Sequence, residues 1–329
     1  MPFDQTMPKS AFLAVTLLCN SRCVMCDIWK NKGMDFLPVD IYSKLPNSLE
    51  MIDITGGEPF LRPDIPEVVS RLKEACPKAR LLITTHGFMT EKIEGQIHAL
   101  LKADPEIAFR VSLDGLGKVH DEIRRIPGGF EKVMQTIELL RRTKVKDLGI
   151  IFTLMEKNRS QLKGIYQYCQ EKKLSFTLNT VHDSPVYFGN EKTNLNAKPA
   201  EVKKDFAYLF WQELKNANPK DWGKAWFVMA LYRYMGTHRR SIPCGAGEKF
   251  FYMDSAANIY MCNFKNWPIG NLNVSSFEVI WNSPAKKNYV PLAHQCHDCW
   301  SICTAKDAIK SDPWTVIKQT PQLIKEMFL

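Results

Sequence analysis

Short, nearly continuous apolar runs recur through the first half of the chain, and each is followed by a stretch with a helical period. The runs predict strands at Phe12–Leu18, Met51–Ile54, Arg80–Thr84, Ala108–Leu113, Leu148–Leu154 and Ser175–Asn179. Helical patterns fall between them at Ile41–Leu45, Ile65–Ala75, Glu91–Lys102, Phe130–Arg142 and Gln161–Lys172. In the first run Leu13, Val15 and Leu17 alternate with residues that are also apolar, which suits a strand covered on both faces. Strand–helix alternation predicts a parallel sheet with right-handed crossovers. Six strands are too few for a closed eight-stranded barrel. The expected fold is therefore α/β: a partial, open (β/α)6 TIM-like barrel over residues 1–181, with an appended C-terminal part.

The alternation stops near residue 181. Residues 182–241 begin polar and become helical and aromatic, with rings such as Phe206, Phe210, Trp226 and Phe227. Rings at helical spacing mean core packing first, and a wall over a pocket second. Residues 242–329 are cysteine-bearing and loop-rich, and form a third segment.

Charge and targeting signals narrow the class. The net charge is +9, but the basic residues are dispersed, so nucleic acid is not an expected partner. Arg239 and Arg240 either meet an anionic group or lie on the surface, and the surface is the expectation. Met1–Ser10 has no basic start followed by an apolar core. No apolar run approaches the roughly 20 residues of a membrane span. A cytoplasmic chain without a membrane partner is expected. It has ten cysteines, and without an export signal these point to metal or redox chemistry. Cys76 and Cys169 stand alone in helical patterns and read as small buried hydrophobes.

Cys19, Cys23 and Cys26 form a Cys-x3-Cys-x2-Cys run directly after the first strand. That position is the C-terminal mouth of a parallel sheet, where α/β sites form. Three thiolates can hold three corners of a [4Fe–4S] cluster and leave one iron open. The alternatives are zinc, which normally takes four ligands, and plain packing.

With Asp27-Ile28-Trp29 after it, the run resembles the signature of the radical S-adenosylmethionine (SAM) superfamily, and further segments follow in the family's order. Thr55-Gly56-Gly57-Glu58-Pro59 is similar to the Gly-Gly-Glu segment, which implies that Gly56, Gly57 and Glu58 meet the SAM amino group. Ser112 and Asp114 end the fourth strand and resemble a ribose-binding segment. Asp121–Gly128 resembles an Arg-x-x-Gly turn and implies that Arg125 pairs with the SAM carboxylate. Thr153 and Asn158 match positions that contact adenosine or ribose, and Asn179 an adenine-facing one. Relatives often carry Thr-Asn-Gly where this chain has Thr85-His86-Gly87. His86 is thus a catalytic candidate, handling protons or binding substrate, or else a polar replacement for Asn.

A second set, Cys244, Cys262, Cys296, Cys299 and Cys303, is similar to the auxiliary-cluster domain called Twitch, a shortened SPASM domain. The resemblance implies one auxiliary [4Fe–4S] cluster on Cys244, Cys262, Cys296 and Cys299, with Cys303 replacing one of them or spare. Structural zinc is the alternative. Ala257 stands where relatives place a turn glycine, so the hairpin is expected to differ. The implied activity is reductive cleavage of SAM to a 5′-deoxyadenosyl radical that takes a substrate hydrogen atom, fed by a donor such as flavodoxin or ferredoxin. The leading substrate reading is oxidation of a sugar or other small polar metabolite, with the auxiliary cluster taking the second electron. The others are crosslinking or epimerisation of a ribosomal peptide, redox-neutral sugar epimerisation, and a non-catalytic electron-transfer protein.

Overall fold

The computed structural model describes residues 7–31, 36–191, 193–215 and 219–328. Met1–Thr6, part of the segment read for targeting signals, lies outside the described residues. The six expected strands form: β1 Ser10–Thr16, β2 Met51–Gly56, β3 Arg80–Thr85, β4 Ala108–Ser112, β5 Asp147–Leu154 and β6 Ser175–Thr180. They are parallel and lie in chain order, as right-handed βαβ crossovers require. Helices α1 Ile65–Ala75, α2 Thr90–Ala103, α3 Lys118–Arg124, α4 Gly129–Arg142 and α5 Leu162–Lys172 connect them. The first expected helix is instead a 3-10 turn, Val39–Lys44, and α3 lies in a polar run with no helical period.

The helices bury an apolar stripe against the outer face of the sheet. Helix α4 does so with Val133, Ile137 and Leu140, at helical spacing. The facing strand residues, such as Ile52 and Ile54 on β2, are fully buried. Alternation sends Asp53 and Thr55 to the other side. The inner face carries Arg80 and Thr84 on β3, Arg110 and Ser112 on β4, Asp147 and Thr153 on β5, and Asn179 on β6. Helices cover one side of this sheet, and the other lines a cavity.

The later segments close the open side. Helices α6 Pro199–Leu214 and α7 Pro219–Thr237 pack together, and α8 Phe277–Trp281, α9 Pro284–Gln295, α10 Ile302–Ser311 and α11 Pro313–Phe328 follow. Helix α10 packs on β6 and α7. Of the rings at 206–234, Phe206, Phe210, Trp226 and Phe227 are buried, and Phe227 also lines the cavity. Both readings of those rings thus apply. Among the described residues no helix is long and apolar enough to cross a membrane.

Three further strands, β7 Phe250–Met253, β8 Asn258–Tyr260 and β9 Pro268–Asn271, form antiparallel hairpins. Strand β7 also pairs in parallel with β1, from Ser10 opposite Phe250 to Leu13 opposite Met253. The third segment therefore extends the barrel sheet to nine strands. The β7–β8 turn keeps the backbone that a glycine would supply. Ala257 takes φ 65° with its side chain fully buried, while Asp254 Oδ1 accepts from the Ala256 and Asn258 amides.

That geometry predicts how the turn responds to substitution. Ala257→Val should cost roughly 2 kcal/mol or more, because a β-branched residue is strained at positive φ and the site has no room. Ala257→Gly should stay within about 1 kcal/mol, since relieved strain offsets lost burial. Chemical denaturation followed by circular dichroism measures both. A Val variant as stable as the natural chain would contradict the strain argument.

Candidate functional site

The loop that carries the first cysteines leaves β1 over two glycines. The Gly57 amide donates to Thr16 O and the Glu58 amide to Leu18 O, both at 2.8 Å. A Cβ on Gly57 would sit 1.9 Å from Leu18 O, and one on Gly56 2.0 Å from Thr16 O. Gly56 also takes φ 133°. Backbone approach thus demands Gly-Gly before any ligand is considered.

Cys19, Cys23 and Cys26 line one cavity of about 1170 Å3, with the inner strand faces, Phe227 and the cavity face of α10. Burial pushes the Cys19 and Cys26 thiols up to about 12, and the neighbouring cysteines add to this. Such thiols ionise when a metal takes the proton's place. Among the described residues no three Cys, His or carboxylate groups converge on a single metal ion. A four-iron cluster gives each thiolate its own iron, and three thiols lining one cavity fit that demand.

Glu58 departs from expectation. Its carboxylate is fully buried, and only the neighbouring Gly56 and Gly57 line the cavity. Its oxygens accept from Phe60 N at 3.1 Å, Thr85 Oγ1 at 2.8 Å and His86 N at 2.9 Å. Burial raises its pKa to about 7. It ties β2 to the end of β3.

His86 lines the cavity, but both ring nitrogens are engaged. Nδ1 accepts from the Phe88 amide at 3.0 Å, and Nε2 meets Asn20 Oδ1 at 2.7 Å. Burial holds its pKa down at about 3, so the ring is neutral and its 3.3 Å approach to Glu58 is not an ion pair. In this arrangement the ring holds Asn20 inside the cysteine loop.

Arg125 ends α3 in the left-handed conformation with an exposed side chain. The preceding Arg124 is the one that lines the cavity. Its guanidinium donates to Asp114 Oδ2 at 2.7 and 2.6 Å and lies 3.6 Å from Cys23 Sγ. Asp114 is fully buried, and its other oxygen accepts from Thr153 N. Asn158, also fully buried, donates to Asp114 O and Thr153 O. Asp114 and Asn158 therefore serve the protein's own backbone and Arg124, whereas Ser112 and Thr153 line the cavity.

Residues 184–190 form a strap that the sequence did not announce. Asn190 donates to Met25 O at 2.7 Å, and Phe188 O accepts from Asp27 N at 2.8 Å. Ser184 Oγ donates to Asn263 O, beside Cys262. Tyr187 OH lies 2.7 Å from Thr55 Oγ1 and donates to Gly56 O at 3.2 Å. The strap joins both cysteine regions to the Gly-Gly turn.

In the second set, burial raises the Cys244 thiol to about 11, and Cys299 and Cys296 raise it further. Burial also pushes up Cys262, helped by Cys244 and Cys299. Arg240 is buried, contrary to the surface expectation. It donates to Cys299 O at 2.9 Å, Thr304 O at 3.0 Å and Ile242 O at 3.2 Å, and lies over the Trp300 ring. Cys303 stands apart. Among the described residues it alone of the five lines the cavity, where burial and nearby Asp53 raise it to about 12. Asn179 lines the cavity too, and its Oδ1 accepts from the Ile302 amide at 3.2 Å, tying β6 to α10.

Residues 13–169 match the family model for the radical SAM superfamily, and residues 244–300 match that of SPASM, an iron–sulfur cluster-binding domain. The chain is a radical SAM enzyme with a SPASM-like domain. Its cofactors are SAM, the SAM-binding cluster and auxiliary iron–sulfur, which excludes the zinc reading. Pre-heme d1 synthase of Dinoroseobacter shibae is 23% identical over 91% of this chain and 83% of its own length. The subtilosin biosynthesis protein AlbA of Bacillus subtilis is 26% identical over 84% of this chain, which spans 60% of AlbA. A solved structure of anSMEcpe with bound AdoMet and Cp18Cys peptide superposes with TM-score 0.65 at 16% identity, covering 98% of this chain and 99% of that one. This likeness shows a shared fold.

Two predictions follow from the radical SAM site. Gly57→Ala should expel the cysteine loop and lower iron content at least about tenfold, because the added carbon overlaps a backbone oxygen; iron analysis and the visible absorption of the reconstituted protein measure it. Glu58 carries a raised pKa in the folded state. Its stabilising contribution is therefore complete below the usual carboxylate pKa and is lost as pH rises through about 7. Roughly 3 kcal/mol is at stake. Unfolding free energy should fall from pH 4.5 to 7 by a component that Glu58→Gln abolishes, measured by denaturant titration across that range.

Proposed function

We propose that this chain binds its SAM-cleaving cluster through Cys19, Cys23 and Cys26, and abstracts a hydrogen atom from a small polar substrate held in the barrel cavity. One observation carries this reading: the first cysteine set, the Gly-Gly turn and the polar inner faces of the strands all line the same cavity. Gly56, Gly57, Ser112 and Thr153 offer backbone and hydroxyl groups to SAM from that wall. Arg124, held by Asp114, places a fixed positive charge beside Cys23. Cys244, Cys262, Cys296 and Cys299 take the auxiliary cluster, with Arg240 bracing the Cys299 loop.

When bound, SAM and the clusters supply one-electron cleavage, hydrogen abstraction and acceptance of the second electron. The protein supplies position and excludes water. The strap covers the cysteine loop, and Phe227 with α10 closes the opposite side. A second reading is maturation of a ribosomal peptide. It is favoured by the match to AlbA over most of this chain.

Anaerobically reconstituted protein should form 5′-deoxyadenosine from SAM and a strong reductant. Cys19→Ala should reduce this at least about 100-fold, since loss of one ligand to an already open cluster removes its anchorage. Cys262→Ala should spare part of the SAM cleavage and block substrate turnover. Chromatography of 5′-deoxyadenosine from both variants decides the matter. Equal loss in the two would refute the division of labour between the cysteine sets.

A further inference from the structure

Among the charged side chains that line the barrel cavity, an acid on the strand wall and a base on the facing helix have no partner among the described residues. Asp53 projects inward from the middle of β2, and Lys306 faces it from α10. Asp53 Oδ1 is shut off from solvent and accepts no hydrogen bond. Among the described residues neither group has a hydrogen bond or an ion pair. They are near enough to feel each other: Lys306 partly offsets the burial that raises Asp53 to about 6, and Asp53 partly offsets the burial that depresses Lys306.

This is unusual. A buried charge is expensive unless something pairs with it. The other inward charges on the neighbouring strands obey that rule: Arg80 and Arg110 both hold Asp147. Arg80, Arg110 and Lys306 meet only two inward carboxylates, Asp53 and Asp147, so this layer carries one surplus cation. Asp307 and the exposed Lys310 on α10 add one charge of each sign. Asp53 and Lys306 come from elements at opposite ends of the sequence, and what they share is the cavity. Asp53 also lies roughly 10 Å below Gly56 along the strand, so a molecule anchored there reaches toward the cysteine loop.

We propose that Asp53 and Lys306 anchor the substrate, and that the substrate is a small molecule carrying a carboxylate beside an amine or hydroxyl. Lys306 takes the carboxylate. Asp53 accepts a hydrogen bond from the amine or hydroxyl. An amino acid or hydroxy acid meets both demands, whereas the backbone of an internal peptide segment can donate to Asp53 but offers Lys306 no carboxylate. The word substrate rests on the radical reading above; the binding itself does not.

The test uses the full chain, as isolated and after reconstitution, in thermal denaturation. The probes are β-alanine and 3-hydroxypropanoate, with propanoate and propylamine as single-group controls. The first two should raise the melting temperature by about 2 °C or more near saturation, and the controls far less. Asp53→Asn should reduce the response to β-alanine to that of propanoate. Lys306→Met should abolish the response to every carboxylate, and Lys306→Arg should restore it. Lys306→Met should also melt close to the natural chain without probe, because the lost attraction to Asp53 is offset by no longer withdrawing the ammonium from water. Equal shifts from the controls, shifts that persist in both variants, no shift from any probe, or a steep loss of stability in Lys306→Met would each overturn the anchor. Formation of 5′-deoxyadenosine by the natural chain is scored separately. Its absence beside a carboxylate-dependent shift would sink the radical reading and leave the anchor standing.

Discussion

The backbone of Gly56–Gly57 lies directly against Thr16–Leu18, with no room for a side chain between them. The origin of the cysteine loop is set by that contact. The chain then closes a circuit around it. Glu58, carried inward by the same turn, accepts from the end of β3 at Thr85 and His86. His86 reaches back to Asn20, one residue past Cys19. Three strand ends thus hold one loop. Burying an ionisable carboxyl to achieve this costs stability at neutral pH, which is common where a site's geometry matters more than its margin.

A second circuit holds the other end of the loop. Asp114 takes two donors from Arg124 and one from Thr153, while Asn158 fixes the backbone on both sides. Buried ion pairs contribute little net stability when compared with apolar packing. Their value here is positional. Arg124 cannot swing away from Cys23 without leaving Asp114 charged and alone, so the cation stays beside the thiol.

Much of this was legible in the sequence, for a physical reason. Strand alternation and helix periodicity are local, so β1 to β6 and α1 were recovered within a few residues. The cysteine spacings and the Gly-Gly turn were legible because those positions are tied to neighbours in the chain. Side-chain direction was harder. Arg124 and Arg125 are adjacent, and only the helix that ends between them decides which one turns inward. Glu58 and His86 carried the right chemistry for a ligand but spend it on each other's segments. The strap at 184–190 and Arg240 were unreadable because their partners lie far along the chain, at Met25, Asp27, Asn263 and Thr304. Ala257 misled in the opposite sense: the residue changed and the turn did not.

Asn179 joins β6 to the start of α10 and leaves the rest of that helix to face the cavity. The wall opposite the barrel strands is thus a late piece of the chain, attached to the barrel at its first turn. Substitutions along its inner face alter the shape and charge of the chamber while the strands that surround the cysteine loop stay as they are. What the chamber admits can then vary along this helix independently of how the reaction begins.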